Sequence, residues 1–273
     1  METYRIISDL EKRHIENLAK KGQRIDGRGL NEYRDIMIET NFIPKAEGSC
    51  KISLGKTEIV AGVKISTGPP YSDTPESGVI TINAELCPMA APHFESGPPN
   101  EYSVEFSRVV DRGIRHANII NKEKLIIVPS EKVFIIFIDL YVIGFDGNLF
   151  DAGSLAAVKA LATTMLPEVD ESMITGKEPL KTREELKWHP LEVLDLPVSV
   201  TVAKIGDTLM VDPNANEERV LDSRITFTLN SQNEIVSAQK GEAGSFKVDE
   251  IYKALGMAQE VAPKLRKYLQ PSS

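Results

Sequence analysis

The chain has 273 residues, 41% of them hydrophobic and 26% charged. That balance excludes disorder and supports a sizeable core, as one large domain or two packed halves. The formal net charge of −8 excludes a protein that works through a broad cationic surface, so any nucleic acid must meet a local basic patch in an acidic body.

In chain order, Ile6, Leu10, Ile15 and Leu18 stand apolar among charges, which predicts an amphipathic helix closed near Gly22. Arg24-Ile25-Asp26-Gly27-Arg28 follows, with a turn at Asp-Gly. Residues 49–54 and 58–65 flank Gly55-Lys56-Thr57 as a hairpin. A Pro/Gly loop over 68–78, a strand over 79–86 and a second Pro-rich loop over 87–99 come next. Asn100 caps a helix running to about 118. Residues 125–128 and 133–143 form another hairpin, whose second strand is apolar nearly throughout, as for a strand covered on both faces. Asp146-Gly147-Asn148 marks a turn, and a helix is expected over 151–165. Residues 167–190, with Trp188 and His189, read as a polar connection in which those two side chains have packing roles. Strands are expected near 198–205, 209–211, 219–229 and 235–240, then a long helix with Ile251, Leu255, Ala258, Ala262 and Leu265 in helical register.

Hairpins followed by a helix, twice over, argue an α+β fold of two similar halves. The expected division is 1–29 N-terminal helix and arm, 30–166 first half, 167–190 connection and 191–273 second half with its C-terminal helix. No stretch approaches the ~20 apolar residues of a membrane span, and residues 1–14 lack a signal pattern. Cys50 and Cys87 lie far apart, so reduced thiols and a cytoplasmic location are expected. His14, His93, His116 and His189 show no ligand spacing near either cysteine, so no metal site is expected.

The segment over 100–117 is the most informative. At about 100° per residue, Arg108, Arg112 and Arg115 fall within roughly 60° of arc, opposite Val109, Val110, Ile114 and Ala117. Guanidinium groups offer phosphate two parallel donors and keep their charge. Two readings stay open. Glu105 and Asp111 precede Arg108 and Arg115 by three and four residues, the spacing of surface ion pairs. Alternatively the stripe, Arg108 and Arg112 above all, meets a polyanion.

Arg24-x-Asp26-Gly27-Arg28, Gly48-Ser49 leading into Leu54-Gly55-Lys56-Thr57, the Arg108–Arg115 helix and Asp151-Ala152-Gly153-Ser154 together resemble RNase PH-type proteins. The resemblance runs from about Arg24 to the C-terminal helix. Gly68-Pro69-Pro70-Tyr71-x-Asp73-Thr74-Pro75 and Gly97-Pro98-Pro99-Asn100-Glu101 bring it nearer the non-catalytic RNase PH-type subunits of the archaeal exosome ring. The resemblance implies an RNase PH-like fold (ribosomal protein S5 domain 2-like). Active members attack the last phosphodiester of an RNA 3′ end with inorganic phosphate. They need donors for the attacking phosphate, cations for the backbone and an acidic centre.

Two departures from the active pattern matter. Where active relatives carry Gly-Thr-Arg at a phosphate-binding turn before a helix, Gly153-Ser154-Leu155 are matched, so the turn and hydroxyl stay but the cation is lost. Where they carry two aspartates six residues apart, Glu218 and Arg224 are matched, within Asp212-Pro-Asn-Ala-Asn-Glu-Glu-Arg-Val-Leu-Asp-Ser-Arg224. The acids of that run are expected to be solvated turn acids pairing with Arg219 and Arg224. An alternative is a self-sufficient exoribonuclease with Glu217, Glu218 and Asp222 as an unconventional acidic centre. A third possibility is a scaffold that never touches RNA. The resemblance implies a trimer of heterodimers forming a hexameric ring with an active RNase PH-type subunit, and S1- or KH-bearing RNA-binding caps. It also implies single-stranded RNA held by Arg108 and Arg112, with Arg115 on the same stripe, no cofactor of this chain's own, and Mg²⁺ only through the active partner.

Overall fold

The computed structural model describes residues 7–170, 173–174 and 183–270. Ile6 and much of the 167–190 connection lie outside the described residues. Helix α1 (Asp9–Lys20), capped by Ser8, buries Ile15 and Ala19. Its turn closes at Gly22, at φ +70°. Ile15 and Ala19 join Ala203, Ile205, Met210 and Val220 in a small cluster of their own.

The first sheet runs in the order β1-β2-β3-β6-β4. Its strands are β1 (Ile36–Thr40), β2 (Gly48–Leu54), β3 (Thr57–Gly68), β4 (Val79–Leu86) and β6 (Lys132–Gly144), with β5 (Ile126–Val128) on β6. Leu54 pairs with Thr57 across the two-residue turn, and Gly55 takes the left-handed conformation that turn needs. β4 runs parallel to β6, so helix α2 (Glu101–His116) lies within a crossover between them. Simple hairpins do not anticipate that pairing. β6 is central, fully covered on one face and half-exposed along most of the other. Phe134, Ile136, Ile138, Leu140 and Val142 are buried, whereas Tyr141 on the other face is 41% exposed. The expectation that both faces are covered fails for that reason.

Helix α3 (Leu149–Ala162) is buried from Leu149 to Leu161. It packs on β2 and β3 and, on its other side, on β9 of the second sheet. The expected helix over 151–165 therefore starts two residues earlier and stops three earlier. Met165–Pro167 (β7) leave it to pair with Trp188–Pro190 (β8). The expected connection is thus bounded by a small two-stranded sheet. The second sheet, β10-β9-β11-β12, is antiparallel, with β9 (Val198–Ile205), β10 (Thr208–Val211), β11 (Ser223–Leu229) and β12 (Ile235–Gly241). The strand expected to begin at residue 219 begins at Ser223. Upstream, Asn214 and Glu217 close a capping box around the short helix α4 (Ala215–Glu218). Helix α5 (Val248–Leu269) packs on β9 and β11. Helices α2 and α3 thus lie between the two sheets.

Cys50 is buried, Cys87 is half-buried and neither is bonded. His93, Phe94 and Phe145 stack as loop packing. No helix among the described residues is long and apolar enough to cross a membrane.

Helices α2 and α3 approach each other closely at Gly153. A Cβ there would lie 2.3 Å from the Phe106 ring, which is fully buried. Alanine normally favours a helix interior by about 1 kcal/mol over glycine. Here overpacking, about 1–3 kcal/mol, wins, so Gly153→Ala should lower stability. Urea denaturation showing a gain would refute the close approach.

Candidate nucleic-acid interface and the centre behind it

Asn100 Oδ1 accepts the Ser103 N–H at 2.9 Å and starts α2. Phe106, Val109, Val110, Gly113 and Ile114 then face the core, which turns Arg108, Arg112 and Arg115 outward. The two readings of the stripe separate residue by residue. Arg115 donates to both Asp111 oxygens, at 2.9 and 2.7 Å, so its charge is neutralised on the helix. Arg112 Nη2 donates to the neutral Gln239 Oε1 at 2.7 Å. The Arg108 side chain is exposed and makes no hydrogen bond or ion pair among the described residues. Glu105 does not face Arg108. It accepts from Arg224 Nη2 at 2.7 Å instead.

Behind the helix lies the region matched to the phosphate turn and the acidic centre. Gly153-Ser154-Leu155 is not a turn. These residues are the fifth to seventh of α3, with Ser154 3% and Leu155 0% exposed. No anion reaches them. The turn that leads into α3 is Asp146-Gly147-Asn148, where Gly147 and Asn148 stand at φ +80° and +54°. Gly147 is obligatory there, because a Cβ would lie 2.6 Å from the Asn214 backbone. The next two residues, Leu149 and Phe150, are apolar and fully buried. Helix N-termini attract anions, and this one holds an internal carboxylate. Glu218 Oε1 accepts the Asn148 N–H at 2.8 Å. Burial pushes that carboxyl up to about 7, against the pull of the Asn148 N–H, Arg224 and Arg34.

Arg224 is 3% exposed. Its guanidinium lies 4.1 Å from the Phe150 ring centroid, between Glu105 at 2.7 Å and Glu242 at 3.9 Å. Asp212 and Glu217 are buried rather than solvated, which corrects the sequence expectation for these two, whereas Asp222 is exposed as expected of a turn acid. Asp212 is fully buried and accepts from Arg28 and Arg34, each at 2.7 Å, and from the Asn148 amide. Burial alone would raise its carboxyl, but the Arg34 and Arg28 guanidiniums hold it below the ordinary value. Glu217 is locked to Arg24. Asp222 accepts the Gly206 N–H at 2.7 Å. Glu217, Glu218 and Asp222 are therefore each held by a different partner. Among the described residues no three of His, Cys, Asp or Glu gather into a metal-holding group.

Sequence reasoning missed the role of Arg24, Arg28 and Arg34. They tie the N-terminal arm to the acidic run. It also missed Asp151, buried between the halves, which accepts from Tyr33, Asn148 and both Thr201 donors. Burial pushes the Asp151 carboxyl up to about 6. Raised carboxyl values mean that the folded state holds these protons more tightly than the unfolded one. The stabilisation from Glu218 and Asp151 is complete below pH 3.8, the lower of their ordinary values, and is lost as pH rises through about 6 and 7. Asp212 acts in the opposite sense, at lower pH. The melting temperature should therefore fall between pH 5 and 8, and Glu218→Gln should flatten that fall. Identical pH slopes for the two proteins would contradict it.

The 3′ exoribonuclease family matches most of the chain, with its domain 1 over residues 32–167 and its domain 2 over 195–261. The chain belongs to this RNase PH-type family. Relatives named exosome complex component Rrp42 are similar along nearly their whole length. The Thermococcus gammatolerans protein is 48% identical over 269 residues, which is 98% of this chain and 97% of its own. The Thermoplasma acidophilum protein is 46% identical over 265 residues, 97% of each. A chain of the Archaeoglobus fulgidus exosome with RNA bound to the active site superposes with a TM-score of 0.87 at 39% identity, covering 96% of this chain and 98% of that one. A chain of an archaeal exosome core gives 0.83 at 36%, covering 96% and 97%.

Proposed function

We propose that this chain is a non-catalytic ring subunit of an archaeal exosome, a complex that degrades RNA from its 3′ end. It pairs with an active RNase PH-type subunit, and three such pairs close a hexameric ring that carries S1- or KH-bearing caps and works in the cytoplasm. The active partner supplies the phosphate donors, the acidic centre and any Mg²⁺. This chain contributes Arg108 and Arg112, which hold phosphates of single-stranded RNA next to the partner's site. Backbone contacts of this kind carry no sequence preference and weaken with salt.

One observation carries this reading. Both positions where phosphorolysis needs free charge are filled from within, the α3 N-terminus by Glu218 and the acidic centre by Arg224 with Glu105 and Glu242. Arg108 and Arg112 meanwhile have no carboxylate partner among the described residues. The similarity to Rrp42 components over nearly the whole length supports the assembly. The purified chain, incubated alone with single-stranded RNA, phosphate and Mg²⁺, is expected to release no nucleoside diphosphate above background. Release at the rate of a reconstituted ring would overturn the reading.

A further inference from the structure

We infer that Gln239 is a positioning residue that holds Arg112 toward RNA while leaving its charge intact. The inference rests on the RNA-contact reading above and assigns the second half of the chain a part in it. Gln239 lies on β12, the edge strand of the second sheet, half-buried beside α2. Its Oε1 accepts from Arg112 Nη2 at 2.7 Å. Its Nε2 donates to the Lys240 carbonyl at 3.2 Å, which turns the oxygen, not the amide nitrogen, to the arginine. Arg112 Nε also approaches the Arg108 carbonyl at 3.4 Å. The guanidinium is thus held by neutral acceptors only, and its Nη1 has no partner among the described residues.

Arg115, one turn on, shows the contrast. It is held by a carboxylate, through two hydrogen bonds. A carboxylate anchor fixes an arginine and cancels its field, whereas an amide anchor fixes it and leaves the field for a phosphate. The two acids nearest on α2 are both turned elsewhere, Glu105 to Arg224 and Asp111 to Arg115. Gln239 thus lowers the ordering cost that Arg112 meets on binding RNA without competing for its charge.

The test is fluorescence anisotropy of a labelled oligoadenylate on the ring reconstituted with its active partner, without phosphate, together with decay kinetics when phosphate is added. Gln239→Ala should weaken binding about threefold by freeing the arginine, on the order of one immobilised side chain. Gln239→Glu keeps the acceptor but adds a charge, and should weaken binding further, about tenfold. In both variants KM should rise and kcat stay near wild type. Gln239→Ala in an Arg112→Ala background should add nothing. If Arg112→Ala weakens binding while both Gln239 variants match wild type, the positioning role is overturned and the RNA-contact reading stands. If Gln239→Glu binds as tightly as wild type, the charge argument fails. If Arg112→Ala itself has no effect, the underlying reading fails, and this inference with it. Gln239 is a half-buried side chain on a ladder whose backbone pairing the substitutions do not touch, and size-exclusion chromatography of each variant ring is the control for assembly.

Discussion

Replacing Arg24 with alanine should destabilise the folded chain by about 3–5 kcal/mol, the usual cost of leaving one member of a buried ion pair alone. The Arg24 side chain is fully buried, and Glu217 is 2% exposed. Nε donates to Glu217 at 2.8 Å, while Nη1 and Nη2 donate to the Val211 and Asp212 carbonyls at 2.9 and 2.7 Å. Without the guanidinium, Glu217 keeps the Asn214 N–H but loses its cation, and the Val211 and Asp212 carbonyls each lose a donor, in a buried site. A loss of that size is a large share of the 5–15 kcal/mol that ordinary domains possess. It would also remove one of the three arginine ties between the arm that follows α1 and the 212–217 run, leaving those of Arg28 and Arg34. The pair itself contributes little net stability. Arg24→Met with Glu217→Gln removes the lone buried charge but leaves the Val211 and Asp212 carbonyls without the guanidinium's donors, so it should recover part of the loss, not all of it. Urea denaturation monitored by circular dichroism measures both. A loss under 1 kcal/mol for Arg24→Ala would show that the arm is held by other contacts.

Removing both Arg108 and Arg112 should weaken RNA binding by the reconstituted ring roughly a hundredfold at low salt. A hydrogen bond to a charged group contributes about 1.5–3 kcal/mol. Two taken at the low end, because Arg108 is exposed, give about 3 kcal/mol. Each phosphate contact to a single strand also contributes about 0.7 to the salt slope, so the slope of log K against log salt should become shallower by about 1.4. Arg115→Ala should change affinity less than twofold, because Asp111 neutralises that side chain. Ring assembly should be unaffected in both variants. Unchanged affinity in the double variant would leave α2 as packing alone.

Much of the fold was legible because it is locally encoded. The β2–β3 hairpin follows from two β-forming runs around Gly55, and α2 from the Asn100 cap and one apolar stripe. What escaped was non-local. β1 is five residues long and needs β2 beside it. The β7–β8 pair joins three-residue segments more than twenty residues apart, and neither shows a period. The parallel pairing of β4 with β6 depends on α2 crossing between them. The glycine misplacement had a related cause. Gly153 has the residue type of a phosphate turn, but only packing reveals that it sits under Phe106, whereas Gly147 makes the real turn.

The site divides in the same way. Helical spacing alone placed Arg108, Arg112 and Arg115 on one outward face, since successive directions within a helix are set by backbone geometry. The resemblance to active relatives matched Leu155 to a cation and Arg224 to an aspartate on residue type alone. Which charges remain available was decided only by tertiary contacts. Glu105 chose Arg224 from the other half over Arg108 on its own helix, and Asp212 and Glu217 turned inward to arginines nearly two hundred residues away. Electrostatic pairing depends on distance in space and on burial, and neither is written in the spacing of residues along the chain.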